Sequence, residues 1–256
     1  MQTFFNQVAI VTQATINHFD LTPEEQTLLE AQSHRRYLDI KDQGWSSDKI
    51  ILDHDRQTEH DDFDTESTVY FMVRKNDGSL FGFVRINPYP YMLEKPDFAG
   101  KFQSTSENPK LVAFIENRDD LVHDSRVWEG SRAHFDLSPP KEERRLAITA
   151  LTLAKAEFMR IAGINEYIGM MAKVFWKSVF EKNGWTVEPL GQEVRFSDKS
   201  LSQAARYWMD EESYRAVRRQ LGLQDDQFLL QPSDDGAITQ EQLRANPFSA
   251  LGLHNI

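Results

Sequence analysis

Charged side chains occur at three places along the chain where strand-forming or apolar residues surround them. Asp61 and Asp64 lie three residues apart directly before a strand-like run, and Arg85 lies inside an otherwise apolar run. The third place is the segment Glu129-Gly130-Ser131-Arg132. Burying a charge costs free energy unless it is paired, and a group of several such charges indicates a functional site. Carboxylates and guanidinium groups together could transfer protons and bind a charged substrate.

Two interpretations of these residues stay open at the level of sequence. One is a purely structural network of buried ion pairs among Asp61, Asp64, Arg85, Glu129 and Arg132. The other is a functional site, which gains weight because buried ion pairs often add little net stability. In a regular strand Glu129 and Arg132 would point to opposite faces, unless a bulge permitted by Gly130 intervenes.

The first half of the chain supplies a helix and a hairpin to position these groups. Pro23 opens a predicted helix that runs to about residue 43, with Thr22 as its N-cap, and Trp45 follows closely. An acidic, irregular stretch comes next. Residues 68–74 and 80–86 then form a predicted β-hairpin around the turn Asn76-Asp77-Gly78. Residues 87–125 are long, polar and rich in proline, which predicts a loop-rich flap facing the substrate.

The second half alternates strands and helices. We expect a strand over residues 125–135, a helix from Ser138-Pro139 to Gly163, and a strand over 166–170. A third helix to about residue 184, closing strands over 185–189 and 193–196, and a helix over 202–222 complete the predicted order. This order predicts an α/β protein in which helices flank a mixed sheet.

Composition limits the function classes. The chain has 256 residues, a formal net charge of −11 and no cysteine. The acidic charge argues against a nucleic-acid partner, and the lack of cysteine excludes disulfides and a cysteine nucleophile. No leader or membrane-spanning run is visible, so we expect a cytoplasmic protein. The seven histidines lack metal-ligand spacing, so no metal is predicted.

Several of these segments together resemble one known family. Trp45, the run Asp61-Asp62-Phe63-Asp64, Arg85 and the run Trp128-Glu129-Gly130-Ser131-Arg132 follow in the order found in the acyl-homoserine-lactone synthases, or autoinducer synthases. Gly184-Trp185 and Pro189-Leu190-Gly191 agree with it. The resemblance covers roughly residues 25 to 200. It implies an acetyltransferase-like (GNAT-like) fold, with an acyltransferase domain over residues 1–200 and a C-terminal helix and partly ordered tail over 201–256.

The resemblance also implies a reaction. An acyl chain carried as a thioester on acyl carrier protein is transferred to the amine of S-adenosylmethionine, and lactonisation then releases methylthioadenosine. S-adenosylmethionine is a substrate, and no cofactor is expected. The implied catalytic residues are Glu129, Arg132, Ser131, Asp61, Asp64 and Arg85. The implied substrate-binding residues are Arg35 (with Arg36 as the alternative), Trp45, Phe83, Trp128 and Met170.

Chemistry suggests roles for these groups. Glu129 is the candidate base that takes a proton from the attacking amine. Asp61 and Asp64 could hold the ammonium or sulfonium end of the substrate. The arginines could hold its carboxylate or lock the acids in place. Backbone N–H groups at a strand bulge are expected to stabilise the oxyanion.

The sequence departs from the family pattern in the first helix. An aromatic residue is usual four positions after the family's N-terminal arginine, where this chain has Asp39 or Ile40. This puts the identity of the acyl acceptor in doubt more than acyl transfer itself. Met170 replaces a threonine that is frequent in members preferring 3-oxo acyl chains, so it weakly disfavours such a chain.

The predicted loop before the second helix indicates the acyl donor. Acetyltransferases that use coenzyme A place glycines there to bind pyrophosphate, whereas residues 136–141 contain none. This favours a carrier-protein donor, whose acidic surface could meet basic residues, namely Lys141, Arg144, Arg145, Lys173 and Lys177. Two alternatives remain: an N-acyl-amino-acid synthase of the same fold, and a non-catalytic binding or regulatory module.

Overall fold

The sheet is the centre of the molecule. The structure is a computed structural model that describes residues 5–12, 23–43, 50–64, 68–75, 77–88, 126–195, 201–224 and 229. Its strands are β1 (Phe5–Thr12), β2 (Ile50–Asp53), β3 (Thr58–Asp61), β4 (Val69–Lys75), β5 (Leu80–Asn87), β6 (Val127–Phe135), β7 (Glu166–Ala172), β8 (Thr186–Arg195) and β9 (Leu201–Trp208). Seven of them form one sheet in the order β1-β4-β5-β6-β7-β9-β8, and β2 and β3 form a separate hairpin.

Helices cover both faces of this sheet. They are α1 (Pro23–Gln43), α2 (Lys141–Ile161), a helical segment α3 over residues 173–183, and α4 (Glu211–Gln220). α3 is α-helical over Lys173–Phe175, π-helical over Trp176–Phe180 and 3₁₀-helical over Glu181–Asn183. The predicted α/β class, with helices flanking a mixed sheet, is confirmed.

Apolar periodicity decides which face each helix covers. The buried face of α2 packs on one side of the sheet, where Leu151 and Phe158 join the main core with Phe71 and Trp128. α1 covers the opposite face, where Leu28 and Leu29 pack with Tyr70, Met72 and Phe83. Alternation along β4 therefore sends odd positions to the α2 side and even positions to the α1 side.

The junction of β6 and β7 is the one parallel pairing in the sheet that the structure describes. It consists of three residue pairs, Val127 with Glu166, Trp128 with Tyr167 and Glu129 with Ile168. Both strands continue past this point, β6 to Phe135 and β7 to Ala172. The strands therefore part just after Glu129.

Two parts of the chain differ from the sequence-based expectation near the N-terminus. The stretch predicted to be irregular contains the β2–β3 hairpin, which packs on α1, and Ser33 Oγ donates a hydrogen bond to the Glu59 carbonyl oxygen at 2.9 Å. β1 was not predicted either, and it pairs with β4 at the edge of the sheet. The predicted flap at 89–125 lies outside the described residues.

The predicted helix over residues 202–222 is wrong in its first half. Residues Leu201–Trp208 form strand β9, which lies between β7 and β8, and the helix begins only at Glu211. Hydrogen bonding to a neighbour on each side outweighs the helical propensity of Gln203, Ala204 and Ala205. The domain boundary predicted after residue 200 falls between adjacent strands of one sheet, and we propose that the domain extends through residue 224.

Within the part of the chain that the structure describes, none of the helices is both long enough and apolar enough to cross a lipid bilayer.

Candidate active site

Six charged side chains meet on the α1 side of the sheet and form one cluster. We call it the arginine–carboxylate cluster; its members are Arg36 of α1, Glu59 and Asp61 of β3, Asp64, Arg85 of β5 and Arg132 of β6. Arg85 Nη1 lies 2.6 Å from Asp61 Oδ1 and 2.8 Å from Asp64 Oδ1. Arg132 Nη2 lies 2.8 Å from Asp61 Oδ2. The structure thus brings together four of the predicted catalytic residues with two others. Arg36 was only the alternative to Arg35, and Glu59 was not predicted.

Arg36 ties the cluster to α1. Its Nη2 lies 2.8 Å from Asp64 Oδ2, and its Nε donates to Glu59 Oε2. Arg132 Nη2 also reaches Glu59 Oε1 at 3.2 Å. Three guanidinium groups therefore meet three carboxylates, and their formal charges cancel.

The carboxylates of the cluster are fully engaged. Asp61 Oδ1 accepts a hydrogen bond from the Phe63 N–H at 2.9 Å in addition to that from Arg85. Asp64 Oδ1 accepts one from the Tyr70 hydroxyl at 2.6 Å. These contacts favour the second of the two predicted roles, in which the acids and arginines hold one another in place. A direct contact between Asp61 or Asp64 and a substrate cation would have to displace an arginine.

Burial and charge act in opposite directions on these groups. Burial alone would raise the pKa of Asp61, but Arg85 and Arg132 outweigh it and lower this pKa from 3.8 to about 2. Burial likewise opposes the ionisation of Asp64, yet Arg85 and Arg36 hold its pKa well below the usual value. Both acids are therefore ionised at neutral pH.

Acid is expected to destabilise the protein through this cluster. Because the folded-state pKa values lie below the ordinary value of 3.8, the stabilisation is fully present above about pH 4 and is lost as the pH falls toward about 2. The shift of Asp61 alone corresponds to about 2 kcal/mol. Urea unfolding at a series of pH values measures this. Asp61→Asn should flatten the dependence between about pH 4 and pH 2, and an unchanged slope would contradict the assignment.

A β-bulge in β6 places Arg132 in the cluster. Arg85 pairs with Ser131 and Phe83 pairs with His134, so β6 contains one more residue than β5 between these pairs. Arg132 has a φ of 53°, in the left-handed region. The extra residue turns its side chain to the same face as Ser131, whose Oγ accepts a hydrogen bond from Arg85 Nε at 3.1 Å. The predicted bulge is confirmed, and it is centred on Arg132 rather than Gly130.

Gly130 does not form the bulge but allows another side chain to approach the strand closely. A Cβ atom at this position would lie 2.1 Å from the Tyr207 hydroxyl oxygen. A Cβ atom on Gly169 would likewise lie 2.6 Å from the Gly130 carbonyl oxygen. Tyr207 of β9 therefore reaches beneath the strand from the α2 side. The glycines allow this close approach where β6 and β7 part.

A buried lysine accompanies Tyr207. Lys155 of α2 is 2% exposed, and its Nζ donates to the Tyr207 hydroxyl at 3.0 Å. It lies 4.5 Å and 4.6 Å from the ring centroids of Tyr167 and Tyr207, with Phe180 and Trp185 at 5.7 Å. Burial lowers the pKa of Lys155 to about 7. No local sequence pattern indicates this environment, because the aromatic rings come from β7, α3, the residue Trp185 before β8, and β9.

Glu129 lies at the centre of these features. Its side chain is 1% exposed, it forms the last pair of the parallel β6–β7 ladder, and it stands opposite Asn87 in the β5–β6 ladder. Burial raises the pKa of Tyr207, and the charge of Glu129 raises it further. The candidate base thus lies next to the cluster and at the point where the strands separate.

Of the two arginines considered in α1, Arg36 joins the cluster. The side chain of Arg36 is 2% exposed, whereas that of Arg35 is 39% exposed. Arg35 Nη2 lies 2.7 Å from Asp39 Oδ1. Arg35 Nε also lies 3.3 Å from His134 Nδ1. Successive helical side chains differ in direction by about 100°, so Arg36 points to the cluster while Arg35 points to the part of β6 that carries His134. The first choice, Arg35, is therefore not part of the cluster, and the alternative is.

The other predicted substrate-binding residues lie in different places. Phe83 is on the cluster's face of the sheet and stacks with His134, with ring centroids 6.0 Å apart. Trp128 is on the opposite face, in the main core against Phe158. Met170 is half-buried on β7, one residue beyond Gly169, and Trp45 lies outside the described residues. Trp128 therefore supports the site from behind and does not face the cluster.

The predicted docking residues lie in the two helices that follow the carboxyl ends of the central strands β6 and β7. α2 and α3 both begin where parallel strands β6 and β7 end, which brings Arg144, Arg145, Lys173 and Lys177 to that end of the sheet. Acids accompany them: Arg145 pairs with Glu142 and Lys173 with Glu193. Large apolar side chains are exposed at the same helix starts, namely Leu137, Val174 and Phe175. The starts of α2 and α3 therefore carry exposed apolar side chains as well as basic residues, and two of these basic residues are paired with acids.

Among the described residues no group of three or more acids and histidines has the arrangement of a metal site. The carboxylates of the cluster face guanidinium groups, as described above.

Comparison with solved structures identifies the class of fold. BjaI, a CoA-dependent acyl-homoserine lactone synthase solved with MTA, is 20% identical over 94% of this chain and 99% of its own, with a TM-score of 0.61. MesI, also a CoA-dependent acyl-homoserine lactone synthase, is 20% identical over 90% of this chain and 100% of its own, with a TM-score of 0.59. The AHL synthase LasI is 19% identical over 87% and 97%, with a TM-score of 0.56.

The chain has the fold of the acyl-homoserine lactone synthases, so the resemblance predicted from its motifs is confirmed at the level of the fold. No protein-family model matches the chain, and no curated protein matches it.

Proposed function

We propose that this protein is an acyltransferase that makes an N-acyl homoserine lactone from an acyl thioester and S-adenosylmethionine. One observation carries the proposal. Glu129, a buried carboxylate, lies at the last pair of the β6–β7 ladder and beside the locked arginine–carboxylate cluster. A candidate base thus lies beside an opening in the sheet, in a fold shared with synthases of this kind.

The opening between β6 and β7 is the proposed place of acyl transfer. A thioester chain inserted there would bring its carbonyl carbon close to Glu129. The amine of S-adenosylmethionine attacks that carbon once Glu129 takes a proton from it, directly or through a water molecule. The C–N bond forms, the C–S bond of the thioester breaks, and a second proton passes from the attacking nitrogen to the leaving sulfur, so the donor leaves as a thiol and the product is an amide.

The bulge at Arg132 provides the proposed oxyanion site. A bulge leaves backbone groups outside the ladder, and such N–H groups can donate to the oxygen of the tetrahedral intermediate. The ion pairs of Arg132 with Asp61 and Glu59 fix this backbone because they hold the side chain in one position. The cluster thereby positions the groups that act on the substrate.

Ring closure would follow without a further catalytic group. The methionine carboxylate oxygen attacks the γ-carbon of the acylated intermediate, a C–O bond forms, and the bond from that carbon to the sulfonium sulfur breaks. The sulfur keeps the electron pair and leaves as neutral methylthioadenosine. Enclosure within the site favours this step by holding the carboxylate close to the γ-carbon.

We propose acyl carrier protein as the acyl donor. The segment from Asp136 to Pro140 before α2 contains no glycine that could bind a pyrophosphate in the manner of coenzyme A sites. The exposed side chains of Leu137, Val174 and Phe175, bordered by Arg144 and Lys177, fit an acidic partner with an apolar centre. BjaI and MesI are CoA-dependent enzymes, so the assay below compares both donors.

An assay with both donors tests the proposal. The protein is incubated with S-adenosylmethionine and either an acyl-carrier-protein thioester or the matching coenzyme A thioester, and methylthioadenosine is measured by chromatography. We expect release that depends on the acyl thioester and is faster with the carrier protein. Acyl transfer to an amino acid without methylthioadenosine would support an N-acyl-amino-acid synthase instead. No transfer with either donor would support a binding module.

A further inference from the structure

Two polar side-chain atoms of Asn87 have no hydrogen-bond partner among the described residues. Asn87 is 3% exposed, and within the part of the chain that the structure describes neither its Nδ2 nor its Oδ1 makes a hydrogen bond. Nη2 of Arg85 is also buried without a partner, although the other guanidinium nitrogens of Arg85 are engaged. Buried polar atoms are nearly always satisfied in folded proteins, so two such side chains on one strand need an explanation.

These unpartnered atoms share a face with the candidate base. Arg85 and Asn87 are two residues apart on β5 and therefore point to the same side of the sheet. Asn87 stands directly opposite Glu129, and Arg85 stands opposite Ser131, in the β5–β6 ladder. Side chains that are opposite in this way lie about 5 Å apart at their Cβ atoms. The polar atoms therefore adjoin the place where Glu129 would act.

The kinds of atom limit the ligand. Arg85 Nη2 and Asn87 Nδ2 are donors and need an acceptor, and the positive charge of Arg85 favours an anionic one. Asn87 Oδ1 is an acceptor and needs an N–H donor. An acyl chain offers neither group, and a thioester carbonyl offers only an acceptor. An α-amino acid carries a carboxylate and an amine on one carbon and satisfies all three atoms.

We propose that Asn87, together with Nη2 of Arg85, binds the α-amino-acid head of the acyl acceptor. The carboxylate accepts hydrogen bonds from Arg85 Nη2 and Asn87 Nδ2, and the amine donates one to Asn87 Oδ1 while it faces Glu129. This rests on the proposed function, which it deepens by assigning the acceptor's head group to a subsite. Asn87 is a binding residue, and it orients the amine toward the base.

The unliganded protein tolerates this subsite at a cost in stability. A buried amide without partners destabilises the fold, so Asn87→Leu, which has similar volume, is expected to raise Tm by roughly 5 °C. Asn183 is the matched control. It is also a buried asparagine, but its Oδ1 accepts a hydrogen bond from Thr149 Oγ1 at 2.6 Å, so Asn183→Leu should lower Tm.

Calorimetric titration with two ligands tests the inference. S-adenosylmethionine has the amino-acid head, and methylthioadenosine lacks it. Asn87→Leu should weaken S-adenosylmethionine binding by about 10- to 100-fold, because partners of the ligand's charged groups are lost, and should leave methylthioadenosine binding within about twofold. The combination of higher Tm and weaker binding is not expected from a structural role.

The remaining outcomes separate this inference from the proposed function. Unchanged S-adenosylmethionine affinity in Asn87→Leu would overturn the subsite and leave the proposed function standing. Equal weakening of both ligands would also overturn it, since Asn87 would then act outside the amino-acid head. If the unaltered protein bound neither ligand, the proposed function would fail, and this inference with it.

Discussion

Replacing Glu129 by glutamine is expected to lower kcat by about 10²- to 10⁴-fold, the range contributed by a positioned general base. The amide has the shape of the carboxylate, so the fold should persist and Tm should change little. The measurement is the single-turnover rate of methylthioadenosine release with saturating substrates. Because the base acts only in the chemical step, the dissociation constant for S-adenosylmethionine should change much less than kcat.

A buried glutamate outside the site provides the control for this variant. Glu157 of α2 accepts hydrogen bonds from Arg218 Nη1 at 3.0 Å and from the Leu229 N–H at 2.9 Å. Glu157→Gln breaks a buried ion pair, so it should lower Tm and leave kcat nearly unchanged. A Glu129→Gln protein that turns over at the normal rate would rule out Glu129 as the base.

Arg85→Met is expected to have the largest effect on stability, a loss of about 3 to 5 kcal/mol, because it leaves buried carboxylates with too few cations. Arg85 contacts Asp61, Asp64 and Ser131 and is 0% exposed. Urea unfolding at neutral pH measures the change. Turnover of any folded protein should also fall, since Arg85 would no longer fix Asp61, which in turn holds Arg132.

Two further variants serve as controls for Arg85→Met: one restores the charge balance of the cluster, and the other removes an exposed arginine. Adding Asp64→Asn to Arg85→Met restores the charge balance of the cluster, so the double variant should be more stable than Arg85→Met alone. Arg206 pairs with Glu188 at 2.7 Å on the surface, where both are more than one-third exposed. Arg206→Met should cost less than about 1 kcal/mol. Equal costs at Arg85 and Arg206 would contradict the role given to the cluster.

Residue type and spacing were sufficient to predict part of the site. Asp61, Asp64 and Arg85 could be recognised because charge is unusual beside apolar strand residues, and Glu129 and Arg132 because they share a compact motif. Their contacts confirm that Asp61, Asp64, Arg85 and Arg132 meet. The roles given to them, and to Glu129, stay predictions that the variants above test.

Other parts of the site depend on tertiary packing that no local pattern reveals. Glu59 lay in an acidic stretch that resembled a loop, and only the β2–β3 hairpin packed on α1 brings it to Arg36. Asn87 and Lys155 carry no motif. Each is unusual only because of its surroundings: Asn87 has no hydrogen-bond partner among the described residues, and Lys155 has four aromatic rings around it.

The elements of the fold likewise divide into those that local sequence predicts and those that tertiary packing determines. Hairpin turn residues and helix periodicity predicted β4, β5, α1 and α2, because the signals for these elements are local. β9 was taken for a helix, since its composition favours one and its place in the sheet is set by β7 and β8. The local rules therefore failed where a strand is determined mainly by its neighbours.

Mass spectrometry of organic extracts from cells expressing this protein identifies the product of the proposed reaction. We expect an N-acyl homoserine lactone that is present with the unaltered protein and depleted at least about 100-fold with Glu129→Gln. The mass of the product would also give the length of the acyl chain. An N-acyl amino acid without a lactone ring, or no new acylated product at all, would show that the protein does not make an N-acyl homoserine lactone.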